Sequence, residues 1–155
     1  MVNPTRASLL GAILLCLTLP GCTTSPDDPG DDLVTNRRHW QSQRLSDYQV
    51  QFRMSCFCVP DATAPVVLQV RGGAIVSVTR VSDGVAVPPS RWEGIYYTVD
   101  QMFALIADAR AKGADEVRVS YDPLLRYPTS VFVDQSQRLA DEERYFELSG
   151  LEPRR

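Results

Sequence analysis

The sequence predicts an α+β domain, an antiparallel sheet of about six strands in the order α-β-β-β-α-β-β-β with helices packed on one face. Three observations carry that expectation. Period-two alternation of apolar and polar residues recurs in six stretches, two other stretches repeat at helical spacing, and the links between strands are short enough for hairpins. Polar alternates imply one wet sheet face, and hairpin links imply antiparallel neighbours.

The first element spans Leu33 to Tyr48, where Leu33, Trp40, Leu45 and Tyr48, with Arg and Gln between them, predict a short amphipathic helix. Alternation then takes over. Tyr48, Val50, Phe52, Met54, Cys56 and Cys58 fall on one side of a strand, and Gln49, Gln51, Arg53 and Ser55 on the other. Val66, Leu68 and Val70 run into Gly72-Gly73, and Ala74, Val76 and Val78 resume the pattern, which is a β-hairpin. A two-residue loop would set Leu68 against Ser77. A three-residue loop closed by a left-handed Gly73 sets Leu68 against Val76 and Val66 against Val78, so the matching of apolar faces favours it.

Thr98 opens the second helix with Gln101 three residues on, a capping box, and Val99, Met102, Phe103 and Ile106 form its apolar stripe. Gly113 supplies the left-handed residue that ends it. Val117, Val119 and Tyr121 alternate with Glu116, Arg118 and Ser120, after which Asp122-Pro123 turns the chain into a return strand from Thr129 to Asp134. A last strand carries Phe146 and Leu148 inward, with Glu143 and Glu147 as polar alternates. No residue pattern recurs convincingly between the two αβββ halves.

The chain has 155 residues, 44% hydrophobic and 23% charged, which suits one compact domain and is too apolar for a disordered protein. Its formal charge is −3 with Lys112 as the only lysine, so nucleic acid is not an expected partner, because phosphate binding needs a concentrated cationic surplus. No apolar run reaches the roughly 18 to 20 residues of a membrane-spanning helix.

The N-terminus reads as a lipoprotein address. Arg6 supplies a positive region, Leu9 to Leu19 an apolar stretch, and Leu19-Pro20-Gly21-Cys22 a lipobox. Residues 1–21 are expected to be removed as a signal peptide and Cys22 to be lipidated, the acyl lipid being the only expected non-protein group. Two or three acyl chains anchor stably, so the membrane is a partner through lipid and is not crossed. Residues 22–34 form an acidic tether with Asp27, Asp28, Asp31 and Asp32, and a single domain occupies 35–152. The ten residues from Thr23 to Asp32 reach at most about 33 to 36 Å, and their carboxylates repel an anionic surface. Loss of Arg6 leaves 15 basic against 19 acidic residues, a mature charge of −4. The expected location is the cell envelope. By resemblance to enteric lipoproteins, Thr23 in place of an Asp after the cysteine implies an outer membrane facing the periplasm where the cell has two membranes, and otherwise the outer face of the plasma membrane is expected.

Once Cys16 is removed and Cys22 lipidated, Cys56 and Cys58 are the remaining thiols, and an oxidising compartment favours their pairing. Residues i and i+2 of an extended strand stand near the upper Cα limit for a disulfide, so closure needs a local bend, for which Pro60 gives an opportunity. A structural clip, buried thiols, thiol-disulfide exchange and a two-thiolate Cu(I) site are the readings weighed. Zinc would want four ligands, and His39 is the only histidine, so no metal site is expected. A Ser-His-Asp triad cannot be assembled around His39, which lies in the solvated run Arg37-Arg38-His39-Trp40. Asp122 reads as a turn device, Asp134 ends a strand, and the chain is not expected to be an enzyme. Residues 82–97, with Pro88-Pro89, Trp92, Tyr96 and Tyr97, are long for a loop and are the candidate partner surface, the alternative being that the aromatics fold back over the sheet.

The tyrosine-led first strand ending in Cys56-Phe57-Cys58, the glycine-turn hairpin, Thr98-Val99-Asp100-Gln101-Met102-Phe103, Tyr121-Asp122-Pro123, Tyr127-Pro128 and Asp134 together resemble the bacterial family catalogued as domain of unknown function 6174. The likeness covers about residues 40–148. It implies a secreted or lipid-anchored protein of one fold and brings no catalytic residue with it. Arg126 departs from the pattern, glycine being frequent at that place in the family. The function expected is a non-enzymatic extracytoplasmic binding module or envelope-associated protein, with redox or Cu(I) handling by Cys56 and Cys58 as the alternative.

Overall fold

The computed structural model describes residues 33–56, 63–138 and 142–154. Their elements are α1 (Leu33–Ser42), β1 (Tyr48–Ser55), β2 (Val66–Arg71), β3 (Ala74–Arg80), a 3-10 turn at Pro89–Arg91, α2 (Val99–Ala111), β4 (Glu116–Tyr121), β5 (Pro128–Asp134) and β6 (Arg144–Pro153). All strand pairs are antiparallel, and the sheet order is β3-β2-β1-β6-β5-β4. The α+β class and the element order agree with the sequence expectation. Each half is a meander of three strands. The two halves join where the first and last strands, β1 and β6, lie side by side.

The sheet has one dry face. Tyr48, Val50, Phe52, Met54, Val66, Leu68, Val70, Val131, Val133, Phe146 and Leu148 are buried on it, against Val99, Met102, Phe103 and Ile106 of α2 and Trp40 of α1. Trp40 meets Tyr48 edge-on at 5.6 Å, and the Tyr48 hydroxyl accepts a 2.9 Å hydrogen bond from the Val99 N–H. A first-turn amide that the helix itself leaves without an acceptor is thereby paired from the first strand.

Both ends of α2 follow from local sequence. Thr98 Oγ1 accepts from the Gln101 N–H, and the Gln101 side chain accepts from the Thr98 N–H at 2.8 Å. At the other end Gly113, with φ of 71°, donates to the Arg110 carbonyl, while Ala114 donates to that of Ala109. This pair of bonds is a Schellman motif, which needs the left-handed residue that glycine adopts without strain.

Two expectations are corrected. The first helix ends at Ser42, and Tyr48 already belongs to β1, whose ladder takes its backbone groups. In the hairpin, Arg71 pairs with Ala74 around a two-residue Gly72-Gly73 loop, with both φ values positive as a type I′ turn requires. A bulge then intervenes. Val70 faces Ile75 but Gln69 faces Ser77, so Val76 is the extra residue and Leu68 meets Val78. The bulge moves the register by one and restores the apolar match that a plain two-residue loop would have lost.

Candidate functional site

The opposite face of the sheet bears neither helix. Register places its side chains in rows: Arg118, Phe132, Tyr145 and Ser55 in one, and Ser120, Ser130, Glu147 and Arg53 in the next. Val131, Val133 and Phe146 point into the core, so their neighbours Ser130, Phe132 and Tyr145 point out. Here a half-open depression of about 460 Å³ is lined by Val117, Arg118, Val119, Ser120, Ser130, Phe132 and Tyr145. That size falls within the range of small-ligand sites. A second hollow, about 270 Å³, continues along Gln51, Arg53, Thr129, Glu147 and Ser149.

The depression is a pre-set arrangement. The Arg118 guanidinium lies 4.3 Å from the centre of the Phe132 ring and is ion-paired with Glu116, and the Ser130 hydroxyl donates to the Tyr145 oxygen at 3.1 Å. Arg53 faces Glu147 at 3.7 Å. Aromatic rings, a stacked guanidinium and hydroxyls offer stacking and directional hydrogen bonds from side chains whose freedom is already reduced. Nothing in the set is a nucleophile with an adjacent base.

The residues singled out from sequence are dispersed. Tyr96 is core, with 6% of its surface exposed and its ring edge-on to Phe52 at 5.8 Å. Trp92 is half-buried and donates from its indole N–H to the Val87 carbonyl, and Tyr97 stacks edge-on to Phe146. The aromatics of residues 82–97 therefore fold back over the dry face, and Tyr96 offers no contact surface to a partner. Asp122 Oδ1 accepts from the Leu124 and Leu125 N–H groups, and Asp134 Oδ1 accepts from Ser136. Asp134 stands opposite Glu116, six residues from Asp122, so about 20 Å of strand separates the two carboxylates. His39 Nε2 lies 3.2 Å from the Leu124 carbonyl, on the α1 surface.

Cys56 sits at a bend directly after β1, packs against the core and is disulfide-bonded. Cys58 and Cys22 lie outside the described residues, as do the expected signal peptide and tether up to residue 32. Among the described residues no three of His, Cys, Asp or Glu gather as a metal-holding group, and no helix is long and apolar enough to cross a membrane.

A family model described as a family of unknown function, DUF6174, matches residues 32–153, the whole of this sheet and both helices. The chain belongs to that family. No curated protein and no solved structure matches it. Arg126 has φ of 61°, a left-handed conformation that costs a residue with a Cβ about 1 to 2 kcal/mol and that glycine adopts without strain. Membership carries no activity to the exposed sheet face. Sequence reasoning had not marked Phe132 and Tyr145, although the signal was present: both are aromatic residues at the polar parity of their strands.

Proposed function

We propose that the protein is a lipid-anchored, non-enzymatic binding module of the bacterial cell envelope, whose bare sheet face engages another envelope component. The observation that carries the reading is the Arg118-Phe132-Tyr145 row set in an open depression on the one sheet face that neither helix covers. Tyr and Arg are the side chains most enriched where binding energy concentrates. The lipobox around Cys22 supports anchoring outside the cytoplasm through lipid.

A photoreactive residue placed at Ser120 or Ser130 tests this in cells. It should capture one discrete species, and Tyr145→Ala should abolish that capture while the domain stays folded. The same reactive group at Ala104, on the exposed side of α2, should capture nothing in particular. Identical profiles from the two faces would overturn the reading.

The disulfide partner of Cys56 is, in this reading, Cys58, the only other thiol left once Cys22 carries lipid. The pair acts as a clip at the end of β1 in place of an exchange or copper centre. Alkylation of both cysteines in the folded, unreduced protein would refute the clip.

A further inference from the structure

We infer that the outer side of α1, with the β4–β5 turn fastened to it, is a bilayer-contact surface that recognises anionic headgroups and inserts Leu124. The inference rests on the lipid-anchor reading, in which the tether joins the domain at α1, ten residues after the residue that follows Cys22, so that this helix lies within reach of the bilayer.

The geometry starts from the turn. Gln43 donates to the Leu125 carbonyl at 2.8 Å and His39 Nε2 lies 3.2 Å from that of Leu124, so the turn is held against the C-terminal half of α1. Asp122, already occupied with two backbone N–H groups, fixes its shape. At its tip Leu124 is 79% exposed, the most exposed large apolar side chain among the described residues. Beside it Arg126 projects from a left-handed position.

This surface also carries basic charge. The α1 segment contains no acidic residue and carries Arg37 and Arg38, with Arg44 just past its end. Among the described residues none of Arg37, Arg38, Arg44 and Arg126 is ion-paired, whereas Arg53, Arg71, Arg80 and Arg118 each face a carboxylate. Four guanidiniums without a carboxylate partner, carried by α1, the residue just past it and the turn fastened to it, together with one exposed leucine on that turn, match an anionic interface with an acyl layer beneath it. A soluble anion would use the charges and leave Leu124 in water.

The test uses the full mature chain with Cys22→Ser, which has no acyl group, so anchoring contributes nothing to the signal. It should sediment with vesicles of equal parts phosphatidylethanolamine and phosphatidylglycerol, should not sediment with phosphatidylcholine vesicles, and should be released by salt. Arg38→Gln with Arg126→Gly should lower the partition by roughly 25-fold, about fivefold per arginine. Leu124→Ser should weaken it further with the fold intact by circular dichroism. Equal sedimentation with both vesicle types, or binding unchanged in the charge variant, would overturn the surface. The mass of Cys22 in wild-type protein extracted from membranes decides the anchor separately: an unmodified Cys22 refutes the anchor while leaving the vesicle result to stand or fall by itself.

Discussion

At the scale of single residues, Tyr48 does the most with one atom. Its ring is buried beside Trp40, and its hydroxyl accepts the Val99 N–H that opens α2. Tyr48→Phe keeps the packing and removes the acceptor, leaving a buried amide unpaired, so it should cost about 1 to 3 kcal/mol in urea unfolding. Burial, reinforced by the charge of Asp100 and opposed by hydrogen bonds from Val99 and Thr98, pushes the Tyr48 hydroxyl up to about 12. The sign follows from linkage. Between about pH 10 and 12 the unfolded chain releases a proton that the folded chain keeps, so stability is fully present below pH 10 and falls as pH rises through 12, by about 3 kcal/mol. Tyr127 is shifted the same way, chiefly by burial, with Asp122 adding to it. Stability measured against pH should therefore fall less steeply in Tyr48→Phe than in the wild type. An equal slope would show that the hydroxyl is not held protonated by the fold.

At the scale of elements, legibility depends on how local the cause is. The Thr98-Val99-Asp100-Gln101 box and Gly113 are local signals, and both ends of α2 were readable from a handful of residues. The β2–β3 register was not. Ala74, Val76 and Val78 alternate cleanly, yet Ile75 is the residue that faces Val70, and Val76 is pushed out as a bulge with 52% exposure. Alternation has no symbol for an extra residue, and the three-residue spacing of Ile75 and Val78 was the only clue. The same blindness hid the exposed face. Phe132 and Tyr145 become neighbours only through β5–β6 pairing, a contact that neither strand's own pattern contains. The corrected turn makes its own prediction. Gly72 and Gly73 have φ of 55° and 76°, so Gly72→Ala and Gly73→Ala should each destabilise the fold by about 1 to 2 kcal/mol, although a Cβ at either meets nothing within 4 Å. A midpoint lowered by Gly73→Ala but unchanged by Gly72→Ala would argue for the three-residue loop, in which Gly73 is the left-handed residue.

At the scale of the whole molecule, the pairing of β1 with β6 decides whether two meanders act as one body. It joins residues as far apart as Gln49 and Glu152, whose side chains are hydrogen-bonded at 2.7 Å across 103 positions of sequence. Closing so long a loop is entropically costly, and its reward is shared by both halves. Phe146 is at the centre of that junction. It sits between Met54 on β1 and Val131 on β5, fully buried, with its ring tilted against Phe52 at 6.2 Å and edge-on to Tyr97 at 5.7 Å. Truncation to Ala removes contacts to the first half, to the second half and to the segment that closes over the dry face. It should cost about 3 to 5 kcal/mol. If the halves are one cooperative unit, the loss cannot stay on the β6 side. Unfolding followed by Trp40 fluorescence in a Trp92→Phe background should shift by the same amount as unfolding followed by far-UV circular dichroism, in a single transition. A Trp40 transition that stays at its original midpoint while the circular dichroism splits into two would mean that the halves are separate bodies sharing a strand edge. The bare face, whose rows run across that same junction, would then be a surface with a hinge in it.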